Sequence, residues 1–175
     1  PTTEELDHDF LWRVHKEVPA KGQIAIFNRS HYEDIIAVRV KKIFPDPVWK
    51  RRYKHVLDFE AMLAEEGTVI IKLFLNISKA EQKKRLESRL QDPDKLWKFC
   101  MDDLDDRNRW DEFQTAYQDL IEKTSTPEAP WYIIPADRKW YRNLVVARLM
   151  VEKLRHLQLS LPTPNFDPAS IIIPD

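Results

Sequence analysis

Leu6, Phe10, Leu11, Val14 and Val18 recur at intervals of three and four, the spacing that gathers apolar side chains on one helix face. Thr2 and Glu5 ahead of them have capping-box spacing, so a first helix is expected to run from there to Pro19. Gln23–Phe27 (QIAIF), after Gly22, is continuously apolar rather than periodic and reads as a short buried strand. The polar run from Asn28 to Asp34 follows. A second helix then carries Ile35, Ile36, Val40 and Ile43 and is broken at Pro45 and Pro47. A third runs from Val48 to Glu66 with Trp49, Tyr53, Val56, Leu57 and Met62 on its apolar side, and Gly67 is its natural stop. Thr68–Ile77 (TVIIKLFLNI) is the clearest strand, β-branched and too continuously apolar for a surface element. Ser78 and Glu81 form a second capping box, opening a basic helix through Leu90 that Asp92-Pro93-Asp94 interrupts. An acidic segment leads into a helix with Leu104, Trp110, Phe113, Tyr117 and Leu120. A loop (Thr124–Pro130), a third strand (Trp131–Ile134) and a last helix (Lys139–Leu157) complete the pattern.

Strands alternating with helices call for an α/β fold, a parallel sheet with helices on both faces and ligands at the carboxyl ends of the strands. Three strands are few for such a sheet. The main domain is expected over 1–158. A tail over 159–175, with Pro162, Pro164, Pro168 and Pro174, is expected to lie extended on a neighbouring surface.

Composition changes this picture at one point. The chain has two glycines, Gly22 and Gly67, neither near another, whereas a phosphate-cradling loop needs several so that backbone N–H groups can approach the oxygens. With Pro1 leading straight into a helix, the sequence reads as part of a longer chain whose first strand, loop and next strand precede it. The charges, 28 basic against 29 acidic, nearly cancel and argue against a general DNA- or RNA-binding protein. One cysteine, Cys100, excludes an internal disulfide framework and fits a reducing compartment, with the cytoplasm as the default. No apolar run approaches the roughly 20 residues of a membrane span.

Three constellations carry chemistry. Asn28-Arg29-Ser30-His31-Tyr32-Glu33-Asp34 follows directly on a predicted strand: Arg29 can clamp a phosphoryl oxygen, and Glu33 or Asp34 can hold Mg²⁺ or the acceptor. An ordinary strand-to-helix connection with an acidic first turn is the plainer reading. Lys83, Lys84, Arg85, Arg89, Lys95 and Lys98 flank Asp92-Pro93, and Arg85 and Arg89 share a helix face. They suit a mobile lid bringing cations onto a transferring phosphoryl group, or simply a solvated face. Lys50, Arg51, Arg52 and Lys54 would track a polyanion, again with a solvated face as the alternative. Trp49, Trp97, Trp110, Trp131 and Trp140 read as core or interface, the histidines show no metal-ligand spacing, and Cys100 reads as a packed thiol.

Taken in order, FNRSHYED (Phe27–Asp34), EQKKRLESRLQDPDKLWKF (Glu81–Phe99) and APWYIIPADRKWYRN (Ala129–Asn143) resemble the family 2 polyphosphate kinases, over about Leu6 to Leu157. The resemblance implies a P-loop kinase-like three-layer α/β/α fold with a helical lid at about 79–104. It also implies Mg²⁺-dependent phosphoryl transfer between inorganic polyphosphate and a nucleotide. By position it places Asn28, Arg29 and Ser30 at a strand end and Arg85, Arg89, Lys95 and Lys98 in the lid. The basic helix around Arg51 and Arg52 would guide polyphosphate. Many members have Asp where this chain has Asn28, which shifts metal binding toward Glu33 or Asp34. The N-R-S-H-Y-E-D form resembles the subgroup that phosphorylates both nucleoside mono- and diphosphates, typically of adenine. Family members are commonly homo-oligomers, and the tail would suit a subunit contact. An ATP-dependent nucleoside or nucleotide kinase, or a non-catalytic polyanion-binding module, are the competing expectations.

Overall fold

The computed structural model of the protein describes residues 1–161 and 163–174. Pro162 of the expected tail lies outside the described residues.

Two short helices, α1 (Thr3–Leu6) and α2 (Trp12–His15), stand where one was expected. The capping box forms, with Glu5 N–H donating to Thr2 Oγ1 at 3.2 Å and Thr2 N–H to Glu5 Oε2 at 2.9 Å. The break follows from Asp9, whose carboxylate accepts from the Leu11 N–H at 2.9 Å and so offers that backbone a turn in place of a helix.

Gln23–Phe27 is not a strand. Ile24 and Ile26 are 66% and 87% exposed, and the segment has no ladder partner among the described residues. Apolar composition alone cannot hold an extended segment whose N–H and C=O groups lack a neighbour.

The helices α3 (Glu33–Val40), α4 (Asp46–Glu65) and α7 (Trp110–Thr124) supply the core. Ile35, Val56, Ala116 and Leu120 are essentially sealed, joined by Tyr32, Ile36, Val38, Val40, Trp49 and Tyr53. Half of α3 is buried because α4 and α7 both pack on it. Gly67 ends α4 as expected: at φ +92° it lets its own N–H reach Ala64 O and the Thr68 N–H reach Leu63 O, a Schellman closure.

The strands β1 (Lys72–Asn76) and β2 (Trp131–Pro135) pair in parallel, in register from Lys72↔Trp131 to Asn76↔Pro135. Thr68–Ile71 stays outside the ladder, since opposite it lies Pro130, which has no N–H to give. Strand alternation puts Lys72 and Phe74 on one face, where Phe74 meets Tyr117 of α7 at 4.8 Å between ring centroids. Tyr132 lies on the other, beneath Lys153 of α8 (Lys139–His156). Helices therefore cover both faces, as the alternating pattern predicted.

Between the strands run α5 (Lys79–Gln91), a 3₁₀ turn (Pro93–Lys98) and α6 (Asp102–Asn108). The second capping box is half formed. Ser78 Oγ accepts from the Glu81 N–H at 3.1 Å, but Glu81 turns to Arg85, and the Ser78 N–H donates to Asp137 Oδ1 at 2.7 Å. That exchange ties the exit of β1 to the exit of β2. Replacing Ser78 with alanine is expected to destabilise the fold by about 1 kcal/mol, read as a lowered urea midpoint. Among the described residues, no helix is long and apolar enough to cross a membrane. Trp49 is a core residue, whereas Trp97 (78% exposed) and Trp140 stand outside the core, and Cys100 is exposed rather than packed.

Candidate active site

Arg29 adopts φ +73°, the left-handed conformation that side chains other than glycine enter at a cost of about 1–3 kcal/mol. Its side chain is 80% exposed, and the Glu33 carboxylate lies 3.6 Å away. From Ser30 the chain winds directly into α3: Ser30 O accepts from the Glu33 N–H, His31 O from the Asp34 N–H, and Ser30 Oγ from the Tyr32 N–H. The motif is thus held by the helix that follows it, not by the strand expected before it.

Glu33 and Asp34 differ sharply. Glu33 is half exposed, and its one ion pair among the described residues is the 3.6 Å contact with Arg29, whereas Asp34 accepts from Arg13 at 2.8 Å. Arg52 donates to the Asp34 backbone carbonyl at 2.6 Å and reaches its Oδ1 at 4.0 Å. The Arg52 side chain is only 13% exposed, its guanidinium lies over Phe10 and Phe44, and burial pulls its pKa down. Arg52 therefore braces the start of α3 instead of facing solvent. Of its neighbours, Lys50 pairs with Asp46 and Lys54 with Asp58, and Arg51 is exposed without an ion pair among the described residues.

Behind the motif lies a buried polar cluster. Lys72 Nζ donates to Glu60 Oε2 at 2.7 Å, to the Thr124 carbonyl at 2.7 Å and to Tyr32 Oη at 3.1 Å. Tyr32 Oη donates to Glu60 Oε1 at 2.6 Å, and buried His31 Nε2 stands 3.4 Å from the same oxygen. The His31 ring stacks on Tyr32, and Trp131 Nε1 donates to Thr124 Oγ1 at 2.9 Å. Burial opposes the charge on Glu60, but the donors His31, Lys72 and Tyr32 outweigh it and hold the carboxyl below its ordinary value. Burial and the Glu60 charge push the Tyr32 phenol up, while burial pulls the Lys72 ammonium down.

Glu60 and Lys72 were not among the sequence candidates, yet both leave a signal. Lys72 is the charge inside TVIIKLFLNI, and a charge in a buried strand demands a partner. Glu60 continues the buried stripe of Tyr53 and Val56 along α4.

Of the cations in the expected lid, Arg85, Arg89 and Lys95 are bonded to protein groups. Arg85 donates to Glu81 at 2.8 Å and to the Ala136 carbonyl at 2.7 Å, just past β2. Arg89 donates to Asp103 at 3.1 Å, Lys95 pairs with Asp92, and Lys98 lies 5.0 Å from the centre of the exposed Trp97 ring. Arg107, also absent from the sequence candidates, closes α6 onto α5 through the Lys79 carbonyl and Gln82. Arg85 thus stands at the exit end of the ladder and the Lys72 cluster at its entry end, a separation of four residues or about 13 Å. No hydrogen bond or ion pair joins residues 28–34 to the lid among the described residues. The Tyr117 phenol is raised by burial and then by the charges of Glu33 and Asp106.

No group of three or more His, Cys, Asp or Glu side chains able to hold a metal occurs among the described residues. Mg²⁺ fits this arrangement in a narrower way, since it is commonly held by one or two carboxylates together with substrate phosphates. Glu33, half exposed, meets that requirement, whereas Asp34 would have to release Arg13.

The model of the family described as Polyphosphate kinase 2 matches residues 1–161. The chain is 54% identical to an AMP/ADP-polyphosphate phosphotransferase of Meiothermus ruber over 99% of its own length and 65% of the relative's. It is 38% identical to an ADP-polyphosphate phosphotransferase of Rhodopseudomonas palustris, covering 93% and 60% of the two chains. The crystal structure of polyphosphate kinase 2 from Arthrobacter aurescens TC1 superposes with a TM-score of 0.93 at 49% identity, over 97% of this chain and 60% of that one. The chain therefore spans roughly three fifths to two thirds of these relatives. Its parallel ladder, two-sided helical cover and matched length make it P-loop kinase-like, and the chain belongs to the polyphosphate kinase 2 family.

Proposed function

We propose that the whole protein is a Mg²⁺-dependent phosphotransferase acting between inorganic polyphosphate and adenine nucleotides, taking AMP or ADP to ADP or ATP. Arg29 carries this reading: a guanidinium held out from a left-handed turn, with one carboxylate at 3.6 Å, is available to a phosphoryl oxygen. The AMP/ADP-polyphosphate phosphotransferase of Meiothermus ruber, to which the chain is similar, supports the acceptor class.

A terminal phosphate oxygen of the nucleotide attacks the end phosphorus of polyphosphate in line. The bond to the next bridging oxygen breaks, and the chain leaves one unit shorter. Alignment and charge neutralisation supply the rate, with little covalent work for the protein. Glu33 would hold Mg²⁺ with the phosphate oxygens, and the ion supplies positive charge there. Arg29 stabilises the transferring group while Asn28 and Ser30 offer hydrogen bonds beside it. Arg85, Arg89, Lys95 and Lys98 exchange their present partners for phosphate as the lid closes. Arg51 and Lys54 guide the polyanion, and Arg52 positions Asp34. The tail, with Leu161, Ile172 and Ile173 exposed, suits contact with another copy in a homo-oligomer.

Incubation of the whole protein with AMP or ADP, polyphosphate and Mg²⁺ is expected to yield ADP or ATP, with activity lost on chelation and restored by Mg²⁺. No polyphosphate-dependent product would overturn the reading, and equal activity with ATP as donor would move it to an ATP-dependent kinase.

A further inference from the structure

We infer that Glu60 and Lys72 are positioning residues: through Tyr32 and His31 they hold the Asn28–Ser30 turn so that Arg29 keeps its outward, left-handed conformation. Their effect on turnover rests on the phosphotransfer reading; their hold on the turn does not.

An unfavourable backbone conformation persists only where its surroundings over-determine it. Around Arg29 the local restraints are slight: the Ser30 Oγ bond is 3.4 Å long, the Glu33 contact is 3.6 Å, and Gln23–Phe27 has no ladder partner among the described residues. Two and three residues downstream the restraints are dense. Tyr32 is buried, its hydroxyl bonded at once to Glu60 of α4 and to Lys72 of β1, and its ring packs edge-on against Trp131 of β2 at 4.9 Å. His31 is stacked on Tyr32 and meets Phe59 of α4 edge-on at 6.1 Å, with Nε2 directed at Glu60. Thr124, at the end of α7, accepts from Lys72 through its carbonyl. Three elements, α4, β1 and β2, bear directly on the pair of residues that follow the turn, and α7 bears on them through Lys72.

Stability alone is a poor reason for such a cluster, because apolar side chains of similar volume generally fill a buried site as well as an ion pair does. Directional bonds to Tyr32 do what apolar packing cannot: they fix its rotation and depth, and so the point from which the turn departs.

The test compares the whole protein with its Tyr32→Phe and Glu60→Leu/Lys72→Met variants by steady-state kinetics and by amide hydrogen exchange. The double variant removes both charges together, so no lone charge is left buried. Positioning predicts that exchange across residues 29–33 rises at least tenfold while amides of α8 stay unchanged. It also predicts that kcat falls at least tenfold while KM for polyphosphate stays within about threefold. Tyr32→Phe, which deletes a single oxygen, should move both readouts in the same direction and carries the test if the double variant fails to fold. Wild-type exchange across 29–33 in the folded variants overturns the inference, and so does wild-type kcat in an active enzyme. An inactive wild-type protein sinks the phosphotransfer reading instead, while exchange still decides whether the pair holds the turn.

Discussion

Arg29→Ala in the whole protein is expected to lower kcat by about 10²–10³-fold, the usual loss when a preorganised transition-state donor is removed. Unfolding free energy should change by no more than about 0.5 kcal/mol, as for surface substitutions generally. The two expectations separate because the side chain is exposed and its contact is a loose ion pair, which contributes little to stability in water. The left-handed turn does not blur the comparison, since alanine and arginine both carry a Cβ and meet similar strain there. Arg29→Lys should fall between, because an ammonium keeps the charge but loses the planar fork that grips two oxygens. Turnover and a urea titration on the same preparations check this. Near-normal kcat would make Arg29 a turn residue and nothing more.

The helices α4, α5, α7 and α8 were legible because 15 to 20 residues of consistent periodicity, or a cap, leave little choice, and the two paired strands because each lies in a dense run of aliphatic and aromatic residues. The failure at Gln23–Phe27 has a definite cause. A strand is a property of its neighbours as much as of its residues, and nothing in QIAIF reports whether a partner stands beside it. The first helix failed at a smaller scale, where Asp9 competes for the Leu11 amide. At the site, the order of the motifs pointed to the family, and the match over residues 1–161 bears that out. That order could not tell free cations from engaged ones. Arg29 and Arg52 look alike in sequence, yet one projects into solvent and the other lies under Phe10 and Phe44 bonded to a backbone carbonyl. The same holds for Glu33 and Asp34, adjacent carboxylates of which one is already claimed by Arg13.

Lys72→Met alone is expected to cost about 3–5 kcal/mol, the range for leaving one partner of a buried ion pair without the other. Glu60 would keep the Tyr32 hydroxyl but lose its 2.7 Å ammonium partner, and the Thr124 carbonyl would lose its donor too. Glu60→Leu/Lys72→Met should instead cost about 1–3 kcal/mol, less than the single change, since removing both charges removes the cost of burying them and leaves only the Tyr32 hydroxyl and the Thr124 carbonyl without their partners. Urea unfolding at neutral pH distinguishes the two, and a double variant as damaged as the single would mean that the pair itself stabilises the fold. Acid titration adds a signed check. The folded-state pKa of Glu60 is depressed, so its contribution is fully present above the ordinary carboxylate value and is lost as pH falls through the folded one. Wild type should therefore lose stability across that acid window more steeply than the double variant, which has no Glu60 to protonate. Parallel acid profiles would mean that the donors around Glu60 do not hold its charge in place.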